Sequence, residues 1–338
     1  MVNIVFERFV ADDRSYFALI KKDIHRIISN GNFPKTSINN LDIIIAELTS
    51  NLQKYSTGGA EFLVRLCKDN AHEFLEVVCM DNGPGIANLT KVLNDHFSSS
   101  NTLGHGLGSI RRLSDEFDIY SQPGWGTIIV IRIFKDPQKP QKESPQLRFG
   151  ALLVPKFGEI SCGDGYCLVR NRNGFRVLVA DGLGHGPDAQ TAVKAAIDTF
   201  INCKEEQAND VVKVIHQNIR KTRGVVANVY LFNTVKKEWN ICGVGNISTK
   251  FLGGVLQKNY IPYNGIIGHN IPNTLNDVML KKEDYNQFVA CSDGIRSRWD
   301  LLKFPELLKR DPMIITAAVY KEFARQNDDM SVVSCKIL

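Results

Sequence analysis

The sequence predicts two α+β domains in tandem. The first lays helices on one face of a mixed sheet, and the second is a β-sandwich flanked by helices. Three observations carry this. A chain of 338 residues exceeds one ordinary domain, and its 43% hydrophobic content suffices for two cores. The stretch from Lys135 to Gln146, KDPQKPQKESPQ, holds Pro137, Pro140 and Pro145 and no apolar residue, so it buries nothing and reads as an extended spacer. Helical periods lead before it, and short strands dominate after it. The domains are therefore assigned to residues 1–135 and 148–338, joined by a Pro/Lys/Gln linker at 136–147.

In the first domain Asp13–Ser29 carries a helical pattern. Leu41–Tyr55 carries another, with Leu41, Ile44, Ile45, Leu48, Leu52 and Tyr55 at helical spacing. Glu61–Lys68 and Phe74–Met80 read as paired strands around Asp69-Asn70. A short helix over Ser109–Glu116 precedes a hairpin, Phe117–Ser121 and Thr127–Phe134. In the second domain eight segments read as strands, from Phe149–Val154 to Met330–Ile337, with Asn173-Gly174 as a hairpin turn. Helical patterns cover Asp188–Asn202, Asn209–Lys221, Trp299–Lys309 and Ile314–Phe323.

Net charge is +5, and the basic residues are scattered among acids, which argues against nucleic-acid binding. The eight cysteines have no C-x-x-C spacing and mostly sit in apolar runs, so they read as buried reduced thiols. The first residues lack a basic segment followed by an apolar one, and no apolar run approaches the length of a membrane span. The expected location is the cytoplasm.

Three elements of the first domain suit a nucleotide. Glu47 and Asn51 lie four apart on a helix and share a face. A carboxylate there can act as a general base, and an amide oxygen can hold Mg²⁺. Asp81-Asn82-Gly83-Pro84-Gly85 follows a strand, with Asp81 placed to accept from an adenine amine and with Gly83 and Gly85 allowing close backbone approach. Gly104-His105-Gly106-Leu107-Gly108 precedes a helix and offers free N–H groups to phosphates. In this order the three sets resemble the N box and the two glycine boxes of the GHKL ATPases, a Bergerat-type α/β sandwich. The branch is that of the RsbT-like switch and anti-sigma serine kinases. Arg111-Arg112-Leu113, Asp115-Glu116-Phe117-Asp118 and Gly124-x-Gly126-Thr127 follow its C-terminal pattern. The resemblance spans roughly Asn3–Phe134. It implies ATP with Mg²⁺ on Asn51, adenine on Asp81 and Glu47 as base. No helical segment carrying a phosphorylatable His is present, as a histidine kinase would require. The serine-rich Phe97–Leu103 is expected to close over ATP. The domain is then a serine/threonine kinase or an ATP-dependent module that grips a partner without phosphorylating it.

In the second domain aspartates recur beside strands: Gly163-Asp164-Gly165, Ala180-Asp181-Gly182, Ser292-Asp293-Gly294 and Asn327-Asp328-Asp329. Like charges drawn together need a cation, and all-oxygen ligation suits Mg²⁺ or Mn²⁺. ADGLGHGPDA, Arg223-Gly224, Gly243-Val244-Gly245-Asn246 and Gly265-Ile266-Ile267-Gly268 resemble the PPM-type metal-dependent phosphatases. The branch is the sporulation stage II E-like one, which includes RsbX-like enzymes. The resemblance covers about Phe149–Leu338. It implies two Mn²⁺ or Mg²⁺ on Asp164, Asp181, Asp293, Asp328 and the Gly182 carbonyl, with Asp181 catalytic as the bridge, and direct hydrolysis of phosphoserine or phosphothreonine. Asp329 stands where many relatives have Asn and is left out of the ligand set. His185 either orients water or phosphate or braces its loop. The branch lacks the Arg-rich N-terminal motif of larger relatives, so the phosphate clamp is left unassigned.

Joined in one chain, the resemblances imply a bifunctional regulator of a STAS-domain antagonist phosphoprotein in a sigma-factor switch. The alternative is a phosphatase whose first domain only captures a sigma factor or antagonist. A chaperone-like ATPase is disfavoured, since the large middle domain of such machines is missing.

Overall fold

The computed structural model describes residues 3–11, 15–56, 58–68, 73–93, 106–136 and 147–338. Asp69-Asn70, Phe97–Leu103, Gly104, His105 and residues 137–146 of the expected spacer lie outside the described residues. Contacts divide the chain into two compact units, neither continuous in sequence. One comprises Phe6–Glu143 with Leu302–Ala317. The other comprises Met1–Val5, Ser144–Leu301 and Ala318–Leu338.

The first unit runs β1 (Glu7–Ala11), α1 (Tyr16–Asn30), α2 (Lys35–Tyr55), β2 (Ala60–Lys68), β3 (Glu73–Asp81), α3 (Leu89–Leu93), α4 (Gly106–Leu113), β4 (Glu116–Gln122) and β5 (Gly126–Phe134). The strands form one sheet in the order β1-β2-β3-β5-β4. Every neighbouring pair is antiparallel, so the sheet is not mixed as expected. Short connections reverse the chain between β2 and β3 and between β4 and β5, and β5 then meets β3 head to tail. α2 starts at Lys35 rather than Leu41, because KTSINN contributes almost no apolar periodicity.

Ile24, Ile28, Leu41, Ile44 and Leu48 of α1 and α2 pack on Phe62, Val64, Val77 and Ile131 of the sheet. The alternate residues Leu63, Val78 and Val130 face the other way and are also buried. On that second face Glu76 meets Arg65 at 2.6 Å and Arg132 at 2.7 Å. The Leu302–Ala317 segment adds Asp311, which accepts from Arg132 Nη1 at 3.0 Å and Nη2 at 3.1 Å. It also adds Phe304, whose ring lies 5.0 Å from that of Trp125. Both faces of this sheet are thus covered. The helix expected over Trp299–Lys309 does not form, and only a 3₁₀ turn at Leu307–Lys309 appears. Pro305 removes a donor in its middle, and Glu306 takes φ +63°.

The second unit runs β6 (Leu147–Val154), β7 (Asp164–Asn171), β8 (Gly174–Gly182), α5 (Pro187–Asn202), α6 (Ala208–Asn218), β9 (Val225–Asn233), β10 (Glu238–Val244), β11 (Ser248–Gly253), β12 (Leu256–Tyr260), β13 (Val278–Lys281) and β14 (Gln287–Cys291), then the part of α7 (Pro312–Phe323) from Ala318 onward and β15 (Met330–Ile337). Two five-stranded antiparallel sheets result, β13-β10-β9-β8-β7 and β12-β11-β14-β15-β6. Between them lie Tyr230, Trp239, Phe251 and Phe288, with Tyr230 stacked on Phe288 at 4.2 Å. α5 and α6 cover the outer face of the first sheet through Ala192, Ala196, Val212 and Ile215. The edge strands β12 and β13 were not expected. An edge strand needs one paired side only, so its sequence alternates weakly, as LQKNY does. All eight cysteines are free and buried. Among the described residues no helix is long and apolar enough to cross a membrane.

Candidate functional site

Glu47 and Asn51 sit one turn apart on α2, both half-buried. Gly106, the first residue of α4, stands directly against them. A Cβ there would lie 3.2 Å from Glu47 Oε2 and 3.3 Å from both Asn51 Nδ2 and Oδ1. The absence of a side chain at Gly106 therefore brings a helix N-terminus, with its unsatisfied N–H groups, against a carboxylate and an amide. Leu107 and Gly108 continue α4, and Gly108 is buried.

Asp81 ends β3, and its Oδ1 accepts the Gly83 N–H at 2.7 Å. Two glycines with positive φ close the loop around it. Gly85 (φ +74°) has no room for a Cβ against the Gln122 carbonyl, and Gly126 (φ +115°) none against the Asp81 carbonyl. The Gly124 N–H donates to the Pro84 carbonyl at 2.8 Å, and the Ile86 N–H donates to Ser121 Oγ at 2.8 Å. The Asp81 loop is thus stitched to the β4–β5 turn. A half-buried acceptor carboxylate, a helix N-terminus and a Glu/Asn pair fit a magnesium-nucleotide: the amines of a base, its phosphates and its metal each find a group of matching sign.

The second site gathers strand ends. Asp164 opens β7 and is paired in register with Asp181 of β8. Asp293 follows β14, and Asp328 precedes β15. Asp164 is 1% exposed and accepts Ser292 Oγ–H at 2.5 Å. Ser292 Oγ in turn accepts the Ser331 N–H at 3.0 Å. Burial pushes the Asp164 carboxyl up to about 8, the Ser292 hydrogen bond opposes this, and Asp329 and Asp293 push it further. Burial raises Asp181 well above the ordinary carboxylate range, and repulsion from Asp164, Asp293, Asp328 and Asp329 adds to it. Asp329 pins the loop instead: its oxygens accept the Lys156 N–H at 2.8 Å and the Gly163 N–H at 2.7 Å. His185 Nδ1 is 3.1 Å from Glu159 Oε1, a partially exposed pair across the rim. Gly182 N–H donates to the Gly163 carbonyl at 2.9 Å, and a Cβ on it would come 2.6 Å from the Ala189 carbonyl oxygen.

Among the described residues, no three His, Cys, Asp or Glu side chains already stand as a closed ligand group. The four aspartates share one electrostatic field rather than one cage. Their chemistry still fits hard divalent cations: oxygen donors only, anionic, and destabilised by one another. Three residues whose part here is not evident from sequence are Ser292, which orients Asp164; Asn246, whose Nδ2 donates to Asp293 Oδ2 at 3.2 Å; and Arg223, discussed below. Each lies in a motif visible in the sequence, but its partner is far away along the chain.

Residues 9–133 match the family model described as histidine kinase-like ATPase domain. The serine/threonine-protein kinase RsbT of Bacillus subtilis (strain 168) is 39% identical over 85 residues, 25% of this chain and 63% of RsbT. The phosphoserine phosphatase RsbX of the same organism is 28% identical over 92 residues, 27% of this chain and 46% of RsbX. The chain joins an RsbT-like domain to an RsbX-like one. Its alignments span less than two thirds of either curated relative. A solved chain from the bacterial stressosome, a modular system that has been adapted to control secondary messenger signaling, has a TM-score of 0.51 at 27% identity. It covers 56% of this chain and 99% of its own. RsbX in complex with magnesium has a TM-score of 0.50 at 20% identity, over 58% of this chain and 98% of that one, which establishes the PPM-type fold of the RsbX-like domain.

Proposed function

We propose that this chain sets the phosphorylation state of one protein partner from both directions. The RsbT-like domain would transfer phosphate from ATP to a serine or threonine, and the RsbX-like domain would hydrolyse it. The observation that supports the reading is that one polypeptide sets Gly106 of α4 against Glu47 and Asn51 and brings four aspartates at strand ends into mutual repulsion. The partner would be a STAS-domain antagonist in a sigma-factor switch, in the cytoplasm.

In the first site Asp81 would accept from the adenine amine, Asn51 would hold Mg²⁺, and Glu47 would take the proton of the attacking hydroxyl. Gly83, Gly85 and Gly104–Gly108 would let backbone N–H groups approach the nucleotide. In the second site Asp164, Asp181, Asp293, Asp328 and the Gly182 carbonyl would hold two Mn²⁺ or Mg²⁺ ions. Such ions supply a nucleophile near neutral pH and offset charge on phosphorus. Ser292 would keep the Asp164 carboxylate oriented, and Asn246 would do the same for Asp293.

Two measurements on the full chain test this. Mg-ATP should bind in calorimetry, and a phosphoserine peptide should be hydrolysed with Mn²⁺ and not after chelation. Absence of ATP binding would remove the first assignment, and chelator-resistant hydrolysis the second. ATP binding with no transfer to any STAS-domain protein would favour a capture module.

A further inference from the structure

We infer that Arg223 is the residue that receives the substrate phosphate in the RsbX-like site, an inference that rests on the phosphatase reading above. A phosphomonoester carries about two negative charges and would enter a site lined by aspartates. Beyond the metal ions, a guanidinium facing it would hold two of its oxygens.

Arg223 is placed for this by sheet register. β8 and β9 pair antiparallel with Asp181 opposite Val226 and Gly182 opposite Val225. Two further steps along both strands set residue 184 opposite residue 223. The arrangement holds beyond the formal strands: the Leu183 N–H donates to the Gly224 carbonyl at 3.3 Å. At Gly184 (φ +80°) a Cβ would lie 3.3 Å from Arg223 Nη1. The guanidinium therefore stands over the glycine loop that leads from Asp181.

The backbone beneath it is held firmly. His269 Nε2 donates to the Arg223 carbonyl at 2.7 Å. Gly224 (φ +79°) is so close to its neighbours that a Cβ would come 2.6 Å from His269 Cδ2 and 2.8 Å from the Ile267 carbonyl oxygen. Its N–H donates to Thr222 Oγ1 at 3.1 Å, and Thr222 Oγ1 donates to the Ile219 carbonyl at 2.7 Å. A long, flexible side chain thus starts from a fixed point beside the aspartates.

What the side chain touches is equally telling. Arg223 Nη2 pairs with Asp188 Oδ2 at 2.9 Å, with 50% and 70% of the two side chains exposed. An ion pair this open contributes little to stability. Asp188 also sits in the first turn of α5, where the helix dipole already stabilises a carboxylate. Stability alone therefore accounts poorly for Arg223, whose planar fork suits two phosphate oxygens. Asp188 then acts as a parking place: phosphate and Asp188 compete for one guanidinium. Lys156, His185 and Arg325 are further cationic or titratable residues whose backbone or side chain meets the aspartate loops. The Lys156 backbone N–H holds Asp329, His185 faces Glu159, and the Arg325 backbone N–H holds the Gly294 carbonyl, whereas the Arg223 guanidinium itself stands against the glycine loop.

The test uses the full-length chain with Mg²⁺ and inorganic phosphate as probe, read by calorimetry, together with KM and kcat for a phosphoserine peptide. Arg223→Ala should weaken phosphate binding and raise KM by on the order of 10- to 100-fold, with the melting temperature and Mg²⁺ affinity kept. Arg223→Lys should fall between. Asp188→Asn should tighten phosphate binding by about 2- to 5-fold, because the competing exposed pair is removed. Unchanged phosphate affinity in Arg223→Ala would overturn the inference. So would a loss of phosphate binding matched by an equal loss of Mg²⁺ affinity, which would make Arg223 a brace for the aspartate loop. If the unaltered chain fails to hydrolyse the peptide at all, the phosphatase reading itself fails.

Discussion

Glu76 and Asp164 are both buried carboxylates, 2% and 1% exposed, and they end in opposite states. Burial pushes Glu76 up, but Arg65 and Arg132 more than reverse this and hold it below the ordinary range. Burial pushes Asp164 up to about 8, and what faces it is a serine and further aspartates. Glu76 has its counter-charges within the chain, donated at 2.6 and 2.7 Å. Asp164 has no cation among the groups that shift it, and under the proposed function a bound metal ion would supply one. The difference separates a carboxylate that holds a sheet together from one suited to bind cations, although the two are equally buried.

The largest expected effect sharpens the first half of that comparison. Glu76→Gln removes the carboxylate that buried Arg65 and Arg132 share, leaving Arg132 its pair with Asp311, and should cost about 3–5 kcal/mol, read as a lowered urea midpoint of the first unit. The sign with pH follows from the depressed value of Glu76. Its contribution is complete above the unfolded carboxylate value of about 4.3 and is lost as pH falls through its lower folded value. Urea midpoints taken between pH 7 and pH 2.5 should therefore fall more steeply in the unaltered chain than in Glu76→Gln. Parallel curves would mean that Glu76 is not ionised.

Next in size is Gly126→Ala. The substitution forces a side chain at φ +115° into the Asp81 carbonyl, and about 2–4 kcal/mol of stability should go with it. ATP binding should fall in the same variant, since Gly126 holds the strand end that bears Asp81. Asp81→Asn removes only an acceptor: calorimetry should give about 1–3 kcal/mol weaker Mg-ATP binding with the fold intact. Equal affinity in that variant would break the adenine assignment.

The smallest stability effect belongs to Asp164→Asn. Removing an ionisable group that is buried among like charges should change metal-free stability by less than about 1 kcal/mol, or raise it. The same variant should lose the rise in melting temperature that Mn²⁺ gives the unaltered chain. A large loss of metal-free stability would place Asp164 with Glu76, as a structural group.

The same contrast explains what the sequence disclosed. Asp164, Asp181 and Asp293 were visible because each stands beside glycine at a strand end, and Asp81 because it opens the Asn82-Gly83-Pro84-Gly85 turn, both local signatures. Gly106 against Glu47 and Asn51 followed from the order of motifs. Glu76 was not visible: it is one charge in an alternating strand, and its partners Arg65, Arg132 and Asp311 are scattered along the chain. The docking of Leu302–Ala317 on the sheet was hidden for the same reason, and its Pro305 was read through as helix. Arg223 and Ser292 acquire meaning only from register, which depends on the partner strand.

The central claim is that one chain both adds and removes phosphate on one partner. It is tested most directly with radiolabelled ATP, a STAS-domain protein and two full-length variants. Asp181→Ala should accumulate labelled partner, because transfer continues and hydrolysis does not. Glu47→Ala should add no label and should strip phosphate from partner labelled beforehand. If Asp181→Ala binds ATP and the partner tightly yet never labels it, the RsbT-like domain only captures, and the claim of opposed activities is contradicted.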